Sequence, residues 1–396
     1  MTLIGGPEIQ RTSLLLSTMA PFAVSSSPRN SSWVLAAPLL QRQPALHALP
    51  TSTMGNSQVM PIRPSAAPAD DKSSIKHANT QSSDASELSF QDKYYVTMKV
   101  LGVGSDSTVY EGWNRLTNKR VAMKVLKLND PSKSLESKLE LKKRFDRERD
   151  ILSTLNHKGV VHLLDHYEDS EYLVLVLPHA DGGDLLDRLT EVQLVDEDEI
   201  RDMFIQLVRA VEYIHSQGVV HRDIKPENIL LKTKLGINQL ALSDFAFAAR
   251  CSDESLTDVL GTLRYVAPEI ILRKPYGKAV DLWSMGVTLF VVFSGTFPFN
   301  HTDQKMLCRF IVSGAFSFNA SQSEVWRYIS EEAKDLIRNL LLVDPEERYT
   351  IEDIWKHPWI ANHVPQPDSS ADSFDSAMEL DSLTIQLSDD MHIPSI

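Results

Sequence analysis

His221-Arg222-Asp223-Ile224-Lys225-Pro226-Glu227-Asn228 is the stretch on which the reading of this chain turns. It places a carboxylate (Asp223), an ammonium (Lys225) and a carboxamide (Asn228) within six residues, directly after the apolar pair Val219-Val220. An exposed polar turn does not account for so many committed side chains in that order. Sixteen residues beyond Asn228, Asp244-Phe245 follows another short apolar strand, Leu240-Ala241-Leu242. A carboxamide and a carboxylate are hard oxygen donors of the kind that hold Mg²⁺ against phosphate groups. Asn228 and Asp244 are therefore the metal-ligand candidates.

Two features upstream fit a phosphate-handling site. Gly102-Val103-Gly104-Ser105-Asp106-Ser107 lies between two strand-like segments, and its glycines let backbone amides approach phosphate oxygens with no Cβ in the way. A dinucleotide-binding fold would enter a helix here, whereas this loop enters another strand, and Ser107 stands where a third glycine would be. Alone, the loop reads more readily as a simple hairpin turn. Lys124 ends the apolar strand Val121-Ala122-Met123; a cation buried there needs an anion, and Glu148 on the following helical stretch is the candidate.

Strand periodicity covers Tyr95–Val100, Ser107–Tyr110, Arg120–Leu126 and Glu171–Leu177, with a charged helical pattern at Leu139–Leu155. Beyond Gly183 the pattern is mostly helical: Ile200–Ser216, Asp281–Ser294, Glu331–Leu341 and Ile351–Trp359. A strand-rich first lobe and a helix-rich second one predict an α+β, bilobal chain with its site in the cleft between them.

The ends differ from this middle. Residues 1–69 hold four Arg, no Lys and one acid, whereas residues 361–396 hold seven acids and no Lys or Arg. Both lack the apolar density that offsets ordering entropy, so residues 1–93 and 361–396 are expected to be disordered tails around a domain at 94–360. The first tail is Ser- and Arg-bearing and acid-poor, like an organellar transit peptide, but Glu8 and scattered prolines count against that reading. The net charge is −13, which excludes a general nucleic-acid binder. Cys251 and Cys308 form neither a CxxC nor a metal spacing, and read as free thiols of a reducing compartment, cytoplasmic or nuclear. The longest apolar run, Met285–Phe293, is nine residues, less than half of a membrane span.

Taken in order, Gly102/Gly104, Val121-Ala122-Met123-Lys124, Glu148, His221–Asn228, Asp244-Phe245, Ala267-Pro268-Glu269, Asp281-Leu282-Trp283-Ser284-Met285-Gly286 and Arg348 resemble the eukaryotic protein kinase signature. The resemblance covers about residues 94–360. His357-Pro358-Trp359 and the Tyr276–Phe299 region are most similar to the calcium/calmodulin-dependent kinase group.

The resemblance implies Mg·ATP as phosphoryl donor, Mn²⁺ being an alternative metal, and protein hydroxyls as acceptors. It makes Asp223 the acceptor of the hydroxyl proton and Lys225 the group that steadies the γ-phosphate. Lys124, held by Glu148, would contact the α- and β-phosphates under the loop Gly102 to Ser105. Adenine would lie between Leu101, Val109 and Ala122 on one side and Leu230 on the other, beside Leu177 and a hinge at Pro178-His179-Ala180. Pro178 lacks an N–H but keeps its carbonyl. Leu152, Leu163, His221 and Phe245 match an apolar column anchored by Asp281, and Glu269 and Arg348 match a buried ion pair. Lys225, two residues after Asp223, fits the Ser/Thr rather than the tyrosine pattern. Asp184 and Glu227 match readers of a basic residue upstream of the target, Val291 lacks a second acidic reader, and Phe247 resembles the serine-favouring variant.

Two departures stand out. Asp244-Phe245-Ala246 replaces the expected Asp-Phe-Gly, which restricts backbone flips, and the loop tip Asp106-Ser107 is polar. Hence the competing reading is a pseudokinase, a nucleotide-binding scaffold. For regulation, Arg222 before the catalytic Asp calls for an anion, usually a phosphate on the activation segment. Asp258, helped by Arg250, is expected to supply it from within the chain, with Thr257 as the rival phosphosite. The tail after Trp359 lacks a basic amphipathic helix, so calmodulin binding is not expected, and neither is an oligomer.

Overall fold

Alternating strands in the first lobe close into one antiparallel sheet. The computed structural model describes residues 89–363, except 132, 192–193, 252–255 and 320–322, together with the backbone of Trp33–Leu35. The remaining parts of the two expected tails lie outside the described residues. The strands are β1 (Trp33–Leu35), β2 (Tyr94–Val103), β3 (Ser107–Asn114), β4 (Lys119–Lys127), β5 (Asp165–Glu168), β6 (Tyr172–Pro178), β7 (Leu194–Asp196), β8 (Val219–Val220), β9 (Ile229–Leu231), β10 (Leu240–Leu242) and β11 (Ala249–Arg250). The helices are α1 (Phe90–Lys93), α2 (Leu135–Leu152), α3 (Leu185–Glu191), α4 (Glu197–Ser216), α5 (Pro268–Ile271), α6 (Ala279–Ser294), α7 (Gln304–Ser313), α8 (Glu331–Leu340), α9 (Ile351–Lys356) and α10 (Pro358–Ala361).

The five-stranded sheet runs β2-β3-β4-β6-β5. The glycine loop joins β2 to β3 as a turn closed by Gly104 N–H on the Ser107 carbonyl at 2.8 Å. Val109 pairs with Lys124, Lys124 with Leu175, and Ala122 with Leu177, so strand alternation puts these side chains on one face. That face carries α2.

Helix α2 starts four residues before the apolar period at Leu139, because Ser134 caps it: its Oγ accepts the Ser137 N–H at 3.1 Å. Its buried residues Leu141, Phe145, Glu148 and Ile151 lie three or four apart, as do Glu148 and Leu152, so Glu148 rides on the apolar face. The helix stops at Leu152 rather than Leu155.

The second lobe is built around α6, buried along every residue from Val280 to Ser294; a helix apolar on all sides belongs at the centre. It ends at Gly295, whose φ of 64° suits a glycine. The single helix expected over Ile351–Trp359 is two: Pro358 has no N–H to continue α9, and His357, extended between them, accepts the Trp359 N–H at 3.3 Å. Short pairs β8–β11 and β9–β10 carry the segments around Asp223 and Asp244, and β1 pairs with β7. Arg348 and Glu269 meet as a buried fork, at 2.8 and 3.0 Å. The α+β, two-lobed expectation holds. Among the described residues, no helix is long and apolar enough to cross a membrane.

Candidate active site

The cleft between the lobes gathers side chains from four elements. Lys124 projects from β4 and donates to Glu148 Oε1 at 2.7 Å and Oε2 at 2.8 Å, and to Asp244 Oδ1 at 2.7 Å. Lys124 and Glu148 are buried, while the Asp244 side chain keeps 40% exposure. Burial opposes the lysine charge, but the Asp244 and Glu148 carboxylates outweigh it and hold the ammonium above its ordinary value. Burial pushes the Glu148 carboxyl up against the pull of Lys124. Asp244 goes the other way: Lys124, 2.7 Å away, outweighs its partial desolvation and lowers its carboxyl to about 2. An ionised, cleft-facing carboxylate results.

Asp223, after β8, is enclosed by donors. Lys225 Nζ reaches its Oδ2 at 2.7 Å and Asn228 Nδ2 the same oxygen at 3.0 Å. Thr262 gives its N–H and its hydroxyl to Oδ1 at 3.0 and 2.7 Å, and Lys225 also donates to the Thr262 hydroxyl at 2.7 Å. Thr262 was not foreseen from sequence; the one sign is its place after Gly261, five residues before Ala267-Pro268-Glu269. Gly261 needs its φ of 110°, and a Cβ there would stand 2.8 Å from the Arg222 carbonyl oxygen.

The two halves are stitched together just behind the cleft. Ser243 donates its N–H and hydroxyl to the Asn228 carbonyl at 2.8 and 2.9 Å, which sets Asn228 beside Asp244. His221 stands edge-on to Phe245, centroids 4.8 Å apart. Burial lowers its imidazole, and the neutral ring donates from Nε2 to the Ser243 carbonyl at 2.9 Å while Nδ1 accepts the Asp223 N–H at 3.3 Å. Leu152 is buried and Leu163 partly so. Below, Asp281 accepts the N–H groups of His221 and Arg222, each at 2.8 Å, and contacts His215 Nε2 at 2.8 Å.

Of the other cleft positions, Val109, Ala122, Leu177, Pro178, Ala180 and Leu230 are half-buried, and Leu101 is more open. Gly102 pairs with Val109, and Val103 and Ser105 are exposed on the loop. Asp184 is buried beside Leu230 and accepts the Asp187 N–H at 2.8 Å, capping α3. Ala246 sits in a tight turn, Phe245–Phe247, outside the left-handed region, so alanine fits there without strain.

The regulatory positions divide. Arg222 Nη1 lies 3.3 Å from Asp258 Oδ2 and 3.0 Å from the Tyr276 hydroxyl. Thr257 is exposed. Arg250 does not join them: it donates to Thr154 Oγ1 at 3.0 Å, because β11 points it toward the end of α2. The polar loop tip is also not loose, since Asp106 is ion-paired to Lys133 and Arg144.

Asn228 and Asp244 offer an amide and an ionised carboxylate, a donor set that fits a hard divalent cation arriving with phosphate ligands. Among the described residues no cluster of three or more His, Cys, Asp or Glu forms a self-sufficient metal cage. A cavity of about 420 Å³ elsewhere, lined in part by Lys158, Arg209 and Lys232, contains none of these groups.

Residues 95–360 match the family model of the protein kinase domain. The chain is 35% identical over 300 residues to calcium/calmodulin-dependent protein kinase type 1 of Macrobrachium nipponense, covering 74% of this chain and 82% of that protein. It is 35% identical to the kinase of the same name in Caenorhabditis elegans, over 67% of this chain and 74% of the other. It is 37% identical to the liver/testis phosphorylase b kinase gamma catalytic chain of Mus musculus, over 67% and 66%.

Proposed function

The chain belongs to the protein kinase family and is a protein serine/threonine kinase, and from this premise we propose that it moves the γ-phosphoryl group of Mg·ATP to serine hydroxyls preceded by a basic residue. One observation carries the catalytic part: Lys124, Glu148 and Asp244 converge through contacts of 2.8 Å or less on one side of the cleft, and Asp223, Lys225, Asn228 and Thr262 through contacts of 3.0 Å or less on the other.

Phosphoryl transfer asks for alignment and charge stabilisation more than covalent help. Mg²⁺, when bound with ATP by Asn228 and Asp244, supplies neutralisation of phosphate charge. Lys124, released from Asp244 and kept by Glu148, orients the α- and β-phosphates. Asp223 positions the acceptor hydroxyl and takes its proton as the hydroxyl oxygen bonds the γ-phosphorus and the bond from that phosphorus to the β–γ bridging oxygen breaks, ADP leaving, while Lys225 spreads its charge between Asp223 and the transferred group. Leu101, Val109, Ala122 and Leu230 would enclose the adenine, with the Pro178-His179-Ala180 backbone as the hinge that bonds its edge.

Substrate preference rests on Glu227. Its Oε2 is buried with no hydrogen-bond partner among the described residues, and burial raises its carboxyl; an arriving guanidinium would satisfy both. Asp184, already capping α3, plays the lesser part. The test is transfer of labelled phosphate to serine peptides with and without Arg three residues upstream. We expect that Arg to raise kcat/KM about tenfold, and Asp223→Asn to lower kcat at least about 100-fold with ATP binding kept. Indifference to the Arg would overturn the peptide preference, and absence of any transfer with Mg²⁺ or Mn²⁺ would leave the pseudokinase reading.

A further inference from the structure

The tip of the glycine loop carries a carboxylate, Asp106, in the part of the loop that would face a nucleotide's phosphates. Left unpaired, an anion there repels the substrate. It is not left unpaired: Lys133 Nζ lies 2.8 Å from Oδ1 and Arg144 Nη2 3.0 Å from Oδ2, with all three side chains about a quarter exposed. Burial works against the charge of Asp106, yet the two cations hold its carboxyl below the ordinary value.

The partners are placed with purpose. Lys133 immediately precedes Ser134, the cap of α2, and Arg144 sits on α2 one turn before Glu148, so residues four apart share a face of the helix. The same helix therefore holds the loop tip through Arg144 and the β4 lysine through Glu148.

We propose that Lys133 and Arg144 form a clamp on Asp106 that neutralises the loop tip and fastens it to α2, making them positioning residues for ATP. The inference rests on reading the cleft as the ATP site. It gives the three charges unequal roles. Loss of one clamp cation leaves the anion half-neutralised and the loop held by a single contact, both harmful to ATP binding. Loss of Asp106 frees the loop but removes the repulsion.

The experiment compares wild type, Asp106→Asn, Lys133→Gln, Arg144→Gln and the double variant Asp106→Asn/Arg144→Gln. Dissociation of a fluorescent ATP analogue, KM for ATP, kcat at saturating ATP and the melting temperature are measured for each. Arg144→Gln is expected to raise Kd and KM about fivefold with kcat within about twofold. Asp106→Asn should change them by about twofold or less, and adding it to Arg144→Gln should recover most of the lost affinity. A purely structural pair would lower the melting temperature without that rescue, and an ordinary surface pair would change nothing; either result overturns the clamp. Failure of the wild-type protein to bind the analogue would instead bring down the nucleotide reading on which it stands.

Discussion

Arg222 and Asp244 hold their backbones at φ 68° and 59°, in the left-handed region that side chains avoid. Each such residue costs about 1–3 kcal/mol and persists only where its surroundings insist. For Arg222 the surroundings are Asp281 on its N–H and the Phe247 carbonyl, which accepts from Nε at 2.6 Å. Its guanidinium is fully buried, and its Nη2 has no hydrogen-bond partner among the described residues. A buried cation with one nitrogen idle is tuned to a further anion. Asp258 is the anion at hand, 3.3 Å away, but its side chain is 59% exposed, so the pair is screened and incomplete. If Asp258 stands in for a phosphate, Asp258→Ala lowers the activity of unphosphorylated protein about tenfold, while Thr257→Ala stays within about twofold. Phosphate mapping alongside the kinase assay decides it: loss confined to the Thr257 variant would make that threonine the switch.

Between elements, the heaviest commitment is the fork of Arg348 on Glu269, which ties the loop after α8 to α5. Arg348 also donates to the Ala279 carbonyl at 2.8 Å, at the start of α6. Removing one partner of a buried pair strands the other charge, so Arg348→Met is expected to destabilise by about 3–5 kcal/mol in urea denaturation. Adding Glu269→Gln should return part of that loss; a single variant of wild-type stability would refute the bracing role. This pair was legible because Glu269 sits in the Ala267-Pro268-Glu269 motif and the family signature supplies Arg348 as its partner. So was α6, whose apolar density leaves it nowhere but the core. What escaped the sequence was of two kinds. Helices α3 and α7 and strand β5 are short, and their polar faces blur any period. Thr262 and the Asp106 clamp depend on contacts across 39 residues for Asp223 and 27 and 38 for Asp106, where one threonine or one ion pair leaves no pattern. Arg250 failed for a related reason: proximity to Asp258 in sequence says nothing about the direction β11 gives its side chain.

At the scale of the whole molecule, Asp281 joins the catalytic segment to the central helix, with no exposed surface of its own. Burial would raise its carboxyl, but contact with His215 and the backbone bonds from the catalytic segment hold it below the ordinary range. A carboxylate with a depressed folded-state pKa contributes stability that is fully present above its unfolded value, about 3.9, and is lost as pH falls through the folded value. Asp244, at about 2, acts in the same sense. Glu148, pushed up by burial, acts in the opposite one, since protonation relieves its cost. Asp281→Asn replaces one accepting oxygen with an amide that confronts an N–H, so the variant should be less stable than wild type by a constant margin from neutral pH down to about 4. Below that the margin should narrow as the wild-type carboxylate takes up its proton. Melting temperatures of both proteins from pH 7.5 to pH 3 measure it. The variant should also lose kcat, because the same amide misplaces the His221 and Arg222 backbone on which Asp223 depends. A margin that stayed constant down to pH 3 would mean that the charge of this carboxylate does not set the strength of the joint.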